Sequence, residues 1–132
     1  MKILTAAFII FASVHFASAS ERHPVDPVSL QVFVDRHIES IMVDGRIKFI
    51  DFDDLRSVST VPVDNHPLIF KGEGFYVACI TVIDESGKEY PVDLYIFENS
   101  TGLVVSDITF GMEGREDFRR LAKSGAVRKL AN

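Results

Sequence analysis

The sequence predicts an α+β domain in which an N-terminal helix packs on an antiparallel β-meander and a short helix follows near the C-terminus. Three observations carry this. Apolar residues from Leu30 to Met42 recur every three or four positions, the spacing of one helical face. Three strand-length segments then follow between Phe75 and Phe110, separated by polar turn sequences. The stretch Arg115–Ser124 carries acidic residues at its start, basic ones towards its end and a glycine after it, in the sense a helix dipole favours.

The first 19 residues read as a secretory leader rather than as part of the fold. Lys2 supplies a positive start, Ile3 to Phe16 is apolar apart from Thr5, Ser13 and His15, and Ala17-Ser18-Ala19 fits a signal-peptidase site. The apolar run is about 14 residues, against about 20 needed to span a bilayer. The exported chain is then residues 20–132, read as a single domain, located in a periplasm or outside the cell. No second apolar run is long enough for a membrane helix. With 47% hydrophobic and 25% charged residues, the 132-residue chain is neither disordered nor low in complexity. Its net charge of −5 argues against a nucleic-acid partner.

In the first helix, Asp26 is placed to cap and Pro27 suits the first helical position. Leu30, Phe33, Val34, His37, Ile38, Ile41 and Met42 form its apolar face; Gln31, Asp35, Arg36 and Glu39 form the wet one. Gly45 is the expected stop. Arg46 to Phe52 alternates as a short strand, with Ile47 and Phe49 on one side. Ser57 to Pro67 is polar and punctuated by proline, and is expected to be a loop. Phe75 to Ile83 is apolar on both faces, the mark of a strand covered on both sides. Lys88 to Phe97 has a core face of Tyr90, Val92, Leu94 and Ile96 and a mixed face that includes Asp93, Tyr95 and Phe97. Pro91 removes a ladder donor and places that end at an edge or bulge. Leu103 to Phe110 is the third strand. In the last helix, Phe118, Leu121 and Ala122 form the apolar stripe.

The segment Tyr76 to Ile108 ends one strand in a turn with Gly87-Lys88, carries Tyr90 and Val92 in the next, and opens the third after Thr101-Gly102. This pattern resembles the PepSY family of small exported domains, and one helix followed by a meander of long strands is similar to the cystatin-like arrangement. The resemblance covers 33 residues and transfers no catalytic residue. It implies a module that binds or inhibits a peptidase, or one that acts as an extracytoplasmic module. The proline-punctuated loop and the basic last helix depart from the family's form.

Chemistry-bearing motifs are few. Asp51, Asp53 and Asp54 crowd together without calcium-loop spacing and read as a solvated acidic turn. His23, His37 and His66 lack paired metal-ligand spacing, and His37 falls on an apolar helix face. Cys79, the single cysteine, lies in an apolar run and reads as buried and unreactive. No nucleophile elbow and no phosphate loop occurs. Asn99-Ser100-Thr101 fits a glycosylation sequon, and its residues are equally turn formers. Residues 115–132 hold six basic and two acidic side chains, against seven and seventeen in the preceding exported chain.

The function expected on these grounds is an exported, non-catalytic binding or inhibitory module needing no cofactor or metal, with an exported protein such as a peptidase as partner. The segment Ser57–Lys71, with His66, and the face of Asp93, Tyr95 and Phe97 are the expected contact surface, Asp93 being read as pointing outward. The alternatives are a small-ligand-binding or isomerase-like cone of the NTF2 type, in which Tyr76, Asp93 and Tyr95 converge, and a structural subunit of the envelope.

Overall fold

The computed structural model describes residues 25–63 and 67–130. The leader, His23 and His66 lie outside them. The fold is α+β: an N-terminal helix, an antiparallel sheet of seven strands and a C-terminal helix.

Helix α1 (Pro27–Ile41) begins where the Asp26 carboxylate accepts the Ser29 N–H at 2.9 Å, with proline in the first turn. It buries Leu30, Val34 and Ile38. The expected stop at Gly45 is corrected: α1 ends at Ile41, and Met42 is extended. Asp44 and Gly45, both at positive φ, instead form a two-residue turn closed by the Val43–Arg46 bridge. That turn leads into β1 (Ile47–Asp51).

The expected loop Ser57–Pro67 is also corrected. Residues 56–62 form strand β2 (Arg56–Pro62), which pairs with β1 on one side and with the end of β4 (Phe75–Asp84) on the other. Strand β3 (Leu68–Lys71) pairs with the beginning of β4. β2 and β3 thus lie in line along one edge of β4. Thr60 explains why so polar a segment can be a central strand: its buried hydroxyl donates to the Ile47 carbonyl at 3.0 Å.

Strand β5 (Glu89–Asn99) pairs along the whole opposite edge of β4, and β6 (Gly102–Phe110) lies beyond it. Pro91 falls where β6 has already ended, since Phe110 pairs with Val92. The missing N–H therefore removes no bond to β6. The turn before β6 is held by Asn99, whose side-chain oxygen accepts both the N–H and the hydroxyl of Thr101.

Helix α2 (Gly111–Ser124) starts a turn earlier than the sequence suggests. Gly125, at φ +77°, ends it as expected. Ala122 is exposed, and Gly114 takes its expected place against the sheet. A Cβ on Gly114 would lie 2.4 Å from Thr109 Cβ, so only glycine permits this approach. The chain ends in β7 (Arg128–Lys129), paired with β3.

The period-2 alternation of β4 and β5 sorts the interior into two layers. Tyr76, Ala78, Ile80 and Val82, with Tyr90, Val92, Leu94 and Ile96, meet Leu30, Val34 and Ile38 of α1. On the other face, Val77 and Cys79 meet Phe118 of α2 and Val127, with Phe70, Tyr95 and Leu121 packed around them. Each such fully buried aliphatic or aromatic side chain contributes about 1.5–3 kcal/mol. The result is three layers: helix, sheet, helix. Among the described residues no helix is long and apolar enough to cross a membrane.

Candidate functional site

The α2 layer decides the fate of the expected contact face. Asp93 pairs with Cys79 across β4 and β5, on the side that α2 covers. The outward placement of Asp93 is therefore corrected: it is 1% exposed. Arg115, on the second turn of α2, closes on it as a fork, with Nε and Nη2 each 2.9 Å from one carboxylate oxygen. Cys79 lies against the same carboxylate. Burial first, and then the neighbouring negative charge, push its thiol well above the ordinary range, so the thiolate nucleophile is suppressed.

Tyr95 lies two residues along the same face and lines an open groove of about 560 Å³ with Asp107, Asp117, Arg120 and Leu121. Burial, reinforced by Asp93 and Asp117, raises its phenol pKa. Phe97, 43% exposed, stacks on Phe75 with centroids 5.8 Å apart. The structure thus brings Asp93 and Tyr95 together, with Phe97 further along the face. It buries the polar member of the set. Tyr76 faces the other way, towards α1, and donates its hydroxyl to Glu98 at 2.8 Å. Burial and that acceptor push its pKa up to about 12.

A second constellation sits at one end of the sheet, where the turn from β1 to β2 meets the turn from β4 to β5. The Asp51 carboxylate is buried, not solvated: its Oδ1 accepts the N–H groups of Asp53 and Asp54. Lys88 Nζ stands 3.3 Å from Asp51 and 3.1 Å from Asp54 and lies 4.8 Å from the centre of the Tyr90 ring. Burial disfavours the Asp51 charge, yet Lys88 and the two N–H donors outweigh it and hold the carboxyl below its usual range. Asp84 accepts from the Ser86 hydroxyl, from the N–H groups of Ser86 and Lys88, and from Arg56, and is held further below that range. The two turns are thereby tied to each other.

Between them and the start of α2 is a cleft of about 120 Å³. Its lining includes the aromatic cluster of Phe49, Tyr90 and Phe110. Phe49 stacks on Phe110 at 4.5 Å and meets Tyr90 edge-on at 5.2 Å. Ile50, Phe52 and Met112 border it and are 52%, 78% and 51% exposed. Leu55, on the same turn as Phe52, is 82% exposed and sits at φ +49°. A left-handed backbone costs a leucine about 1–2 kcal/mol. This turn therefore carries both backbone strain and exposed apolar surface.

Sequence reasoning passed over this end because its residues come from three separate segments. The one local signal was the run Ile50-Asp51-Phe52-Asp53-Asp54-Leu55, where large apolar residues interrupt an acidic turn that needs none. Among the described residues, no group of three or more His, Cys, Asp or Glu side chains is arranged to hold a metal ion.

Fold and site together define a three-layer α+β protein with a closed ion pair beneath one helix and an apolar, strained turn at one end of its sheet. No protein-family model matches the chain, and neither does any curated protein or solved structure.

Proposed function

We propose that this protein works after export as a non-catalytic binding or inhibitory module, and that its partner is another exported protein. The exposed apolar end formed by Ile50, Phe52, Leu55 and Met112 is the observation that carries this reading. Isolated exposed apolar residues are ordinary, but two of them on one turn, one at a strained φ, beside Ile50 and Met112, support an interaction surface. The leader supports export. The strand, turn, strand, Thr-Gly turn, strand order of residues 75–110 supports the resemblance to PepSY and cystatin-like domains, and with it a peptidase as the partner. The groups best suited to catalysis are already engaged: Asp93 by Arg115, Asp51 by Lys88, and Cys79 by burial. An isomerase-like cone needs Asp93 to open onto a cavity, and Arg115 occupies both of its oxygens.

The test compares the exported wild-type protein with a Phe52→Ser, Leu55→Gly variant shown to be folded. Each is cross-linked in the envelope and culture-fluid fractions of the producing cell. A protein joined to the wild type and lost from the variant, and then bound by the purified wild type in titration, supports the reading. If that protein is a peptidase, its hydrolysis of peptide substrate should slow in the titration. Identical cross-linking of both forms, or an intact mass that retains residues 1–19 in the cytosol, overturns it.

A further inference from the structure

We infer that the cleft at the end of the sheet receives one basic side chain, a lysine or arginine, from an apolar extended segment of the partner protein. The inference rests on the binding function proposed above and specifies its chemistry. The size of the cleft, about 120 Å³, suits a single side chain rather than a helix or a cofactor. Its aromatic lining suits a cation, because a ring face attracts positive charge. The chain itself places one there: Lys88 Nζ lies over Tyr90 at 4.8 Å.

Charge selects the occupant. Lys88 is already neutralised by Asp51 and Asp54. Asp53, Glu89 and Glu113 also line the cleft, and among the described residues none of them pairs with a cation within 4.0 Å. The N-terminus of α2 supplies about half a positive charge nearby, too little to offset three carboxylates. An acidic or phosphorylated segment would be repelled. A wholly apolar one would strip water from those carboxylates and return no partner. A basic side chain satisfies both the rings and the rim. Ile50, Phe52 and Met112 would then pack on the apolar flanks of the segment and exclude water around the ion pair.

The probes are blocked pentapeptides Val-Leu-X-Leu-Val with X as arginine, lysine, leucine or glutamate, titrated into the exported protein. Binding is read from dissociation constants and from backbone amide shifts. The arginine and lysine peptides are expected to bind about tenfold tighter than the leucine peptide, the combined effect of a rim ion pair and the aromatic lining. The glutamate peptide should bind weakest. Shifts should concentrate on residues 49–53, 88–91 and 110–113. The double variant Glu89→Gln, Glu113→Gln changes two exposed side chains, and its thermal unfolding should match the wild type. It should remove most of the advantage of the arginine peptide over the leucine peptide. Equal affinity of the arginine and leucine peptides, shifts centred elsewhere, or no binding at millimolar arginine peptide overturns the inference. These outcomes are separate from those of the cross-linking experiment. A partner lost with Phe52→Ser, Leu55→Gly but kept by Glu89→Gln, Glu113→Gln would leave the binding function standing and remove the basic side chain from it.

Discussion

Replacing Arg115 with methionine should unfold the protein far more readily than replacing most other residues that are partly exposed. Asp93 is 1% exposed, and Arg115 supplies two hydrogen bonds to it at 2.9 Å. Each bond to a charged group contributes about 1.5–3 kcal/mol. The substitution keeps an apolar stem over the sheet but strands a buried carboxylate beside Cys79. Breaking a buried pair from one side costs about 3–5 kcal/mol. Arg115 itself is 22% exposed, so water reaches part of the vacated space, and the lower end of that range applies. Removing the carboxylate instead leaves a guanidinium that can turn to solvent, so Asp93→Leu should cost less than Arg115→Met. The double variant Asp93→Leu, Arg115→Met exchanges the pair for apolar packing and should recover most of the loss. Urea unfolding at neutral pH reads all three. With a slope of about 2 kcal/mol per molar, the Arg115→Met midpoint should fall by about 1.5 M. A loss below about 1 kcal/mol, or a double variant as unstable as Arg115→Met, would refute the assignment of this pair as the anchor of α2.

Other consequences follow from individual residues. Gly114→Ala raises helix propensity by about 1 kcal/mol, but its Cβ would press on Thr109 at 2.4 Å, and overpacking of that kind costs about 1–3 kcal/mol. A lowered thermal midpoint is expected, and a raised one would show that α2 does not sit so close. Leu55→Gly relieves about 1–2 kcal/mol of left-handed strain and loses about 0.5–1 kcal/mol to backbone entropy, so a small net stabilisation should appear in the same measurement. A destabilised variant would contradict the strained turn. Burial lowers the pKa of His37 from 6.5, so the unfolded chain takes up its proton first. Its contribution is full above pH 6.5 and is lost as pH falls through the lowered folded value. The wild type should weaken across that window more steeply than His37→Asn. Parallel slopes in denaturant titrations at pH 7.5 and 5.5 would reject this.

The sequence made the strong periodicities legible and hid what depends on neighbours. Helix α1 was readable because Leu30, Val34 and Ile38 repeat at helical spacing and Asp26 caps them. Its end was misplaced because Gly45 serves a turn beyond the helix. Strand β2 was hidden by Ser57, Ser59 and Pro62, although Val58 and Thr60 alternate inward with the strand period. The start of α2 was hidden because Gly111 and Gly114 have low helix propensity. Gly111 sits at φ +84°, and Gly114 is demanded by Thr109 on a strand that sequence spacing alone does not bring near.

The inward turn of Asp93 was deducible in principle. β4 is apolar on both faces, so both faces need cover. Its neighbour β5 must share both covers, and any residue on the second face of β5 then lies under the second layer. Asp93 occupies that face, between Pro91 and Tyr95. A carboxylate so placed requires a cation, and the last helix is the segment rich in them. Arg115 is the one that the helix's apolar stripe, through Phe118 three residues on, carries towards the sheet. Three of the six basic side chains of the C-terminal segment are therefore accounted for within the fold. Arg115 is spent inside the fold, and Arg119 and Arg120 are matched by Glu116 and Asp117 on the same helix. The acidic surplus of the rest of the chain finds no such match at the far end of the sheet, where Asp53, Glu89 and Glu113 stand around an aromatic cleft. Among the described residues, carboxylates without an ion pair thus stand beside exposed apolar side chains at this end of the sheet, and that coincidence, rather than either feature alone, is the basis of the binding surface proposed above.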